Sequence, residues 1–304
     1  MKHQWTADIV VHPELARSVI EAQFPSLAPA AIEALGNGWD NTVFRVNERF
    51  AFRFPRRDIA VNLIQTEIAC LPVLAPRLPF PIPIPLFAGR PSPEYPWPFA
   101  GYTYIDGDRR HLGTPDMAWR RRLAAALGEF LKTLHAIPIG DLPVDAIPLD
   151  ELARLDMASR RAAMESRVAL LQSAGLVAHP EAILALVDQA PDPPSERDLV
   201  IVHGDLHAGQ LVVGADGRLA GVIDWGDLHF GHRAVDLVAV HQLIPPALFD
   251  AFFASYGDVD DVTWRLARAR AAWHGVALLA SAADSADERM VAESKMALAF
   301  LRSG

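Results

Sequence analysis

Two aspartates, Asp205 and Asp224, each follow an apolar run of the kind that forms β-strands. Asp205 comes shortly after the run 199–202, and Asp224 directly follows the run 219–223. Between them lie a third apolar run and an Ala-Asp-Gly turn at 215–217, a sequence that is typical of a tight β-hairpin. Because a hairpin brings its two ends together, we expect both carboxylates to face one cleft.

A pair of carboxylates in one cleft suits a limited set of reactions. One carboxylate on a loop can take a proton from a hydroxyl group, and a second can hold Mg²⁺. A base and a metal ligand are the smallest set of protein groups that phosphoryl transfer to a hydroxyl group needs. The sequence therefore indicates phosphoryl transfer to a hydroxyl group as the first hypothesis.

The residues around the two aspartates form motifs. His203-Gly204-Asp205 is followed by the amide side chain of Gln210, and Asp224 opens the sequence 224–227, Asp-Trp-Gly-Asp. These motifs resemble the catalytic and metal-binding motifs of the aminoglycoside and macrolide phosphotransferases, which are antibiotic kinases with a protein-kinase-like fold. The resemblance spans most of the chain, because further segments occur in the family's order: 36–41, 52–57, Glu67 and 235–237.

The resemblance implies an α+β, bilobed, protein-kinase-like fold. Residues 1–105 are predicted to form a small N-terminal lobe with a β-sheet and a helix, which would bind the nucleotide. Residues 106–304 are predicted to form a larger, mainly helical C-terminal lobe with the catalytic and substrate-binding residues. The implied cofactors are Mg²⁺ and either ATP or GTP, and the implied acceptor is a hydroxylated small molecule such as an aminoglycoside or macrolide antibiotic.

The resemblance also assigns roles near the two aspartates. Asp205 is the expected catalytic base, and Asp224 is expected to hold Mg²⁺ together with Gln210. His207 and Asp227 are the expected substrate contacts. A cationic amine on the acceptor would be drawn to Asp227 in a chain whose net charge is −9.

The nucleotide is expected to lie between the lobes. A loop formed by Gly36, Asn37 and Gly38 would point its backbone N–H groups at the phosphates. Arg53, on the strand pair that follows, would bind the phosphates as well, and Glu67 on the next helix would pair with Arg53. The base of the nucleotide would lie near three residues between the lobes: Tyr104, Ile105 and Asp106.

Two positions depart from the family's pattern. Gln210 stands where the family usually has Asn, and its extra methylene moves the amide oxygen by roughly one C–C bond length in a site where Mg²⁺ needs tight distances. Arg53 stands where many members have Lys, and a guanidinium can bind phosphate oxygens in a fork. Arg56 and Arg57 are alternative phosphate contacts.

Other hypotheses explain some of these residues. The glycines at 36–38 could form only a turn, His203 is expected to brace its loop, and Asp236 is expected to accept backbone N–H groups. A nucleotide-binding pseudokinase without turnover would account for Gln210. A metal-dependent hydrolase could instead use a His/Asp cluster as its ligands: His203, Asp205, His207, Asp224, Asp227, His229 and His232.

Composition limits the partners and the location. A net charge of −9 argues against nucleic acid or an anionic membrane as a partner. The single cysteine, Cys70, excludes an intrachain disulfide and fits a reducing cytosol. The sequence shows neither a signal peptide nor an uninterrupted apolar run of about 20 residues. We therefore expect a soluble, cytoplasmic protein, whose oligomeric state the sequence leaves open.

Hydrophobic periodicity and turn residues predict the surrounding elements. The proline-dense stretch 72–98 must be extended or looped, and 106–108 is the expected hinge. Besides the strands flanking Asp205 and Asp224, three strands are predicted: 42–46, 50–54 and 101–105. Helices are predicted at 13–24, 58–74, 117–135, 149–173, 180–189, 234–243, 246–255 and 262–302.

Overall fold

The computed structural model describes residues 7–38, 40–108, 116–193 and 198–303. Over these residues the N-terminal part contains a five-stranded antiparallel sheet. The C-terminal part is mainly helical and holds two short, two-stranded sheets. The α+β, kinase-like class implied by the resemblance is therefore confirmed.

The described residues form nine strands. In chain order they are β1 (Ile32–Asn37), β2 (Asn41–Val46), β3 (Phe50–Pro55), β4 (Pro85–Gly89), β5 (Phe99–Thr103), β6 (Leu199–Val202), β7 (Leu211–Val213), β8 (Leu219–Val222) and β9 (His229–His232).

The described residues also form nine α-helices. They are α1 (Pro13–Gln23), α2 (Ile59–Leu74), α3 (Met117–His135), α4 (Met157–Ser173), α5 (Pro180–Asp188), α6 (Ala234–Leu243), α7 (Phe249–Tyr256), α8 (Asp261–Asp284) and α9 (Glu288–Ser303).

The five-stranded sheet has the order β1-β2-β3-β5-β4. Phe52 and Phe54 alternate along β3 and are buried, together with Phe44 and Phe99, in an aromatic cluster on one face of the sheet. Because side chains alternate along a strand, Arg53 between the two phenylalanines points to the opposite face. The strand pattern thus places a cation on the face that α2 covers.

Helix α2 is a core helix of this part of the fold. Ile64, Leu71 and Leu74 are buried, and Glu67 is only 1% exposed. With its continuation to Arg77, α2 is long and apolar enough to cross a membrane by length and composition alone. The bent pair of α6 with the segment Pro246–Tyr256 passes the same test. Both segments contain polar residues and contribute buried residues to the fold, so the prediction that the sequence has no uninterrupted apolar run of about 20 residues is not contradicted.

Helix starts in the C-terminal part are fixed by aspartate caps. Asp116, Asp156 and Asp260 each accept a hydrogen bond from the backbone N–H group three residues later, at the first turns of α3, α4 and α8. The apolar faces of α3, α6 and α8 pack into one hydrophobic core, which also includes Ile64 of α2 and Tyr102 of β5. Since this core spans residues on both sides of position 105, the division into lobes at 105 and 106 stays a prediction.

The hairpin predicted between the two aspartates is present, but β6, the strand that precedes Asp205, belongs to a separate sheet. Strands β7 and β8 pair antiparallel, while β6 pairs with β9, a strand that the sequence did not predict. The ends of β6 and β8 nevertheless meet, because His203 Nε2 lies 3.0 Å from the Ile223 carbonyl oxygen. Asp205 and Asp224 follow these two neighbouring ends, and both lie close enough to Asp227 to raise its pKa.

Most of the predicted helices are present with small shifts. Helices α3 and α6 have the predicted bounds, and the strand predicted at 101–105 lies two residues earlier, as β5. Residues 149–156 form turns instead of helix, because α4 begins only after its cap, Asp156. The first residues of the segment predicted at 246–255 form a 3₁₀ turn before α7.

The long helix predicted at 262–302 is two helices. Helix α8 ends at Asp284 and α9 begins at Glu288, with Ala286 between them in the left-handed conformation at φ +55°. At the other end of the chain, β1 was not predicted as a strand. It pairs with β2, with a register irregularity between Ala34 and Gly36.

Candidate active site

The loop after β6 is held by a buried aspartate. The Asp236 carboxylate accepts hydrogen bonds from the backbone N–H groups of His203 at 2.8 Å and Gly204 at 3.0 Å, and His135 Nε2 lies 3.3 Å away. Burial raises the pKa of Asp236, but its contacts with His135 and the loop outweigh burial and lower that pKa. Gly204 has φ +90°, and a Cβ there would clash with the Asp227 carbonyl oxygen.

Replacing Asp236 with alanine is expected to destabilise the fold by on the order of 3 kcal/mol, because two buried backbone N–H groups lose their acceptor. Urea unfolding of the variant measures this loss. Asp250→Ala is the matched control: Asp250 pairs with Arg121 at an exposed position, where ion pairs contribute about 0–1 kcal/mol. Equal stability of the two variants would contradict a structural role for Asp236.

His203 is a brace, as expected from the sequence. Its Nε2 lies 3.0 Å from the Ile223 carbonyl oxygen, and its ring lies 4.7 Å from the Trp225 ring. His203 is fully buried, so it links the loop after β6 to the end of β8 and is shielded from solvent.

Asp205 projects from this loop between two histidines. His274 Nε2 lies 3.2 Å from Asp205 Oδ1, and His207 Nε2 lies 3.8 Å from Asp205 Oδ2. Burial raises the pKa of Asp205, but the hydrogen bond from His274, together with the electrostatic influence of His207, brings that pKa well below its ordinary value. Asp205 is therefore ionised at neutral pH and can accept a hydrogen bond or a proton.

Gln210 lies between His207 and Asp224. Gln210 Nε2 is 3.1 Å from His207 Nε2 and donates to Asp224 Oδ2 at 3.3 Å. The Gly209 N–H group donates to His207 Nδ1 at 3.1 Å, and burial lowers the pKa of His207 to about 4. His207 is thus neutral and, because Nδ1 accepts, carries its hydrogen on Nε2, a donor whose matching partner is the Gln210 amide oxygen after the amide is turned over. Both ring nitrogens face protein groups, so the predicted contact of His207 with substrate has no support in this geometry.

Asp224 itself is partly open to solvent, with 47% of its side chain exposed. Its backbone has φ +65°, a left-handed conformation that is rare for a residue other than glycine and recurs at functional sites. The Ile223 N–H group donates to the Gln210 carbonyl oxygen at 2.9 Å, which fixes the backbones of the two predicted metal ligands relative to each other.

Arg53 joins the sheet to this cleft. Its Nη1 donates to Glu67 Oε1 at 2.6 Å and its Nη2 donates to Asp224 Oδ1 at 2.7 Å. Tyr102 donates to the other oxygen of Glu67, Oε2. Burial raises the pKa of Glu67, an effect that the charge of Arg53 opposes. The structure thus places Arg53, Glu67 and Asp224 in one chain of contacts across the cleft.

The two other candidate arginines have different partners. Arg56 Nη1 donates to the Gly38 carbonyl oxygen at 3.1 Å, and Arg57 Nη1 pairs with Asp40 at 2.9 Å. Both lie beyond the end of β3 and contact the β1–β2 turn. Of the three candidates, Arg53 is the one that the structure pairs with Asp224.

The predicted phosphate loop is the end of β1 and the turn that follows it. Gly36 has φ +142°, Asn37 pairs with Thr42, and the Gly38 N–H group donates to the Asn41 carbonyl oxygen at 2.9 Å. Trp39, which belongs to the same motif, lies outside the described residues. The loop lies at the edge of the sheet beside Arg56, and its contact with phosphates stays a prediction.

Tyr104, Ile105 and Asp106 line a recess of about 620 Å³ that is open to solvent. Arg45 covers the Tyr104 ring at 4.4 Å and lies 3.4 Å from Asp106. The remaining lining residues come from 75–84, Thr103 and Ala220 and include neither Arg53 nor Asp224. This recess therefore does not coincide with the predicted phosphate site, and the position of the nucleotide base stays a prediction.

Asp227 is tied into an ion-pair cluster. Arg154 contacts Asp227 through Nη2 and Asp150 through Nη1, the second at 2.6 Å. Burial and the negative charge of Asp205 raise the pKa of Asp227. Because Arg154 neutralises part of its charge, Asp227 is a weaker attractor for a cationic substrate than the sequence suggested.

Two histidines of the alternative hydrolase site, His229 and His232, contact the backbone through Nδ1. His229 Nδ1 lies 2.7 Å from the Asp227 carbonyl oxygen, and the Ala234 N–H group donates to His232 Nδ1 at 3.3 Å. Over the described part of the chain, no group of three or more His, Cys, Asp or Glu side chains is arranged to hold a metal ion. The geometry therefore gives the hydrolase hypothesis no support.

His274 is one of three residues near the site that the sequence did not predict. It lies in the middle of α8 and contacts Asp205, although the apolar pattern around it predicted only a core helix. Tyr102 and Arg154, which contact Glu67 and Asp227, were missed as well. None of the three belongs to a motif, and the one available signal for His274 was a polar residue within an apolar helix.

Comparison with known proteins shows which family and which solved structures this chain is similar to. A model of the phosphotransferase enzyme family matches residues 31–280. No curated protein matches.

Several solved structures share the fold. The GDP complex of wild-type aminoglycoside 2'-phosphotransferase-IIIa is 23% identical with a TM-score of 0.69, covering 96% of this chain and 99% of that one. The GDP and kanamycin complex of APH(2")-IIia is 24% identical with a TM-score of 0.67, covering 94% and 97%. Macrolide 2'-phosphotransferase MphH from Brachybacterium faecium is 21% identical with a TM-score of 0.56, covering 96% and 98%.

Proposed function

This chain belongs to the phosphotransferase enzyme family, and we propose that it transfers the γ-phosphate of a nucleoside triphosphate to a hydroxyl group of a small molecule. One observation carries the proposal most strongly: Arg53 of the sheet bonds both Glu67, at 2.6 Å, and Asp224, at 2.7 Å. A cation for phosphate and a carboxylate for a metal thus meet in the cleft that also contains Asp205. Phosphoryl transfer depends mainly on such positioning and charge neutralisation.

The proposed donor is ATP or GTP. Structural neighbours were solved as GDP complexes, and another is described as a streptomycin-ATP-APH(2")-IIa ternary complex. Both nucleotides have the same triphosphate, which is the part that Arg53 would contact. The residues described around Arg53 therefore favour neither base.

The residues fit a magnesium ion by their chemistry. Mg²⁺ prefers oxygen ligands, and the half-exposed Asp224 carboxylate lies beside the amide of Gln210. The amide now faces Asp224 with its nitrogen, at 3.3 Å. Rotation of the amide by half a turn would present its oxygen to the ion and to the Nε2–H group of His207. When bound, Mg²⁺ would neutralise charge on the β- and γ-phosphates.

The side chains of the site have separate proposed roles in the reaction. Arg53 would bind phosphate oxygens, and Glu67 would hold Arg53 toward them. Asp205 would orient the acceptor hydroxyl group and accept its proton as the oxygen bonds to phosphorus and the nucleoside diphosphate leaves. A lowered pKa makes the Asp205 carboxylate a weak base, so Asp205 would contribute more by orientation than by basicity.

Gln210→Asn is expected to keep or raise kcat, because asparagine retains the amide oxygen at a shorter reach. Gln210→Ala is expected to lower kcat by on the order of tenfold or more, because the metal loses a ligand. Steady-state assays over a range of Mg²⁺ concentrations measure both effects. If neither change alters turnover, Gln210 is not a metal ligand.

The proposed acceptor is a hydroxylated small molecule, and an aminoglycoside or macrolide antibiotic is the first class to test. Neighbouring proteins were solved with kanamycin, gentamicin and streptomycin. An amine on the acceptor would meet Asp227, whose charge Arg154 partly offsets, so we do not propose that charge alone selects the substrate. Modification of such a compound in the cytoplasm would confer antibiotic resistance.

Mass spectrometry of a compound panel tests this function. The panel contains kanamycin, gentamicin, streptomycin, a macrolide, simple hydroxylated amines and uncharged sugars and alcohols, each incubated with ATP or GTP and Mg²⁺. We expect at least one compound to gain the mass of a phosphoryl group. If only an uncharged sugar or alcohol gains it, the kinase function stands and the cationic acceptor is refuted.

A pseudokinase is the second candidate, because Gln210, one methylene longer than the asparagine usual in the family, is the residue whose amide contacts Asp224. This candidate predicts Mg²⁺-dependent nucleotide binding by calorimetry without turnover on any compound. It also predicts that Gln210→Asn and Gln210→Ala are silent. Nucleotide binding measured with and without Mg²⁺, beside the panel, separates the two candidates.

A further inference from the structure

His274 touches the proposed base without belonging to any motif. It lies on α8, outside the segments 203–210 and 223–227, and is 7% exposed. Its Nε2 lies 3.2 Å from Asp205 Oδ1, within hydrogen-bond distance. The other oxygen, Oδ2, lies 3.8 Å from His207 Nε2, beyond that distance. The two oxygens of Asp205 are therefore not equivalent.

The hydrogen on His274 can be assigned from its neighbours. Gln242 Nε2 donates to the Ala271 carbonyl oxygen at 3.1 Å, and a carbonyl can only accept, so the amide nitrogen faces this side. The same nitrogen lies 3.3 Å from His274 Nδ1. Since the amide nitrogen has a second hydrogen to donate, Nδ1 must be the acceptor. A neutral imidazole that accepts at Nδ1 carries its hydrogen on Nε2.

We propose that His274 is a positioning residue that donates from Nε2–H to Asp205 Oδ1 and so leaves Asp205 Oδ2 for the acceptor hydroxyl group. Gln242 fixes the tautomer, and the rigid helix α8 fixes the ring. The proposal rests on the proposed function for the identity of the hydroxyl group, but its hydrogen-bond geometry does not. A carboxylate held by one oxygen keeps the other aimed, which is the form of positioning that phosphoryl transfer needs.

The tautomer can be measured without any activity. In protein labelled with nitrogen-15 at histidine, long-range proton–nitrogen spectra distinguish Nε2–H, Nδ1–H and the doubly protonated ring. At about pH 7 we expect His274 to be the Nε2–H tautomer. Gln242→Met, which removes the donor to Nδ1, should add a population of the Nδ1–H form. A doubly protonated ring or an Nδ1–H form in the unaltered protein would overturn the assignment.

Kinetics test the action through Asp205. His274→Phe keeps a ring of similar shape without the donor, and it should lower kcat by on the order of 10–100-fold while KM for the nucleotide changes little. His274→Gln, whose amide supplies an N–H group of similar reach, should restore part of kcat. In an Asp205→Asn background, His274→Phe should have less than about a twofold effect, because its partner charge is gone. The assay uses the compound that the panel identifies.

His241→Phe is the matched control. His241 is also buried, on α6, and its Nε2 lies 3.2 Å from the Trp264 carbonyl oxygen. Its replacement should lower thermal stability without a comparable loss of kcat. Similar losses of kcat in both variants, or losses that add to that of Asp205→Asn, would overturn the proposal.

The proposal can still be tested if His274→Phe does not fold or if no compound is phosphorylated. If His274→Phe does not fold, Gln242→Met takes its place in the same cycle with Asp205→Asn, and an additive effect overturns the proposal. If no compound is phosphorylated, the proposed function fails, while the tautomer measurement still decides whether His274 holds Asp205.

Discussion

Asp205→Asn is expected to lower kcat by about 10²–10⁴ while the affinity for Mg²⁺-nucleotide changes little. Asparagine has almost the same shape but cannot accept the proton of the acceptor hydroxyl group. Asp205 is ionised at neutral pH, since its contacts with His274 and the nearby histidines lower its pKa despite burial. The variant thus removes the charge and keeps the volume.

Steady-state kinetics and nucleotide calorimetry on the same preparation measure this prediction. Asp216→Asn is the matched control, because Asp216 is an exposed aspartate in the turn between β7 and β8. It should leave kcat unchanged. Turnover of Asp205→Asn near that of the control would exclude Asp205 as the base.

Asp224→Ala is expected to abolish both turnover and the Mg²⁺-dependent part of nucleotide binding. The carboxylate is the partner of Arg53 at 2.7 Å and the proposed ligand of the metal, so its loss removes the neutralising ion and releases Arg53. A ligand that binds only the folded protein raises its stability by mass action. Thermal melting with Mg²⁺-nucleotide should therefore shift upward for the parent and not for the variant.

A different metal ion, Zn²⁺, provides the control for this second prediction. Zn²⁺ alone should not produce the same stabilisation, because the cleft offers carboxylate and amide oxygens suited to Mg²⁺. If Asp224→Ala binds Mg²⁺-nucleotide as tightly as the parent, Asp224 is not the metal ligand, and the assignment of the cleft must change.

The sequence predicted the helices and the hairpin whose conformation depends mainly on their own residues. Helix α3 carries a long apolar pattern at helical spacing, α6 is a short segment that is apolar nearly all round, and the β7–β8 hairpin has a turn sequence suited to it. Strand β9 was missed because its sequence, His-Phe-Gly-His, has little strand preference and forms a strand only by pairing with β6. The break between α8 and α9 was missed because it contains neither Gly nor Pro, only Ala286 at a positive φ.

The candidate site was predictable where motifs carried it. The order of Arg53, Glu67, Asp205 and Asp224 along the chain predicted a shared cleft, and the structure brings Arg53, Glu67 and Asp224 into contact. Which of the neighbouring arginines faces the cleft could not be predicted, because that choice depends on where β3 ends.

Contacts that form only when distant segments pack together could not be predicted from the sequence. His274 reaches Asp205 only because α8 packs behind the catalytic loop, and no spacing in the sequence links the two residues. Arg154 reaches Asp227 in the same way, and it changes the expected charge at the acceptor side of the cleft. Such pairs depend on how helices pack, which a single sequence does not reveal.

The central claim is that Arg53, Asp205 and Asp224 form one site for phosphoryl transfer. The most direct measurement follows an isotope-labelled γ-phosphate under single-turnover conditions with Mg²⁺ and the panel compounds. We expect the label to appear on the hydroxyl group of an acceptor, with one nucleoside diphosphate formed for each transfer, and Asp205→Asn to slow this step. Label that appears only in inorganic phosphate whatever acceptor is present, or a bound nucleotide that stays intact, would contradict it.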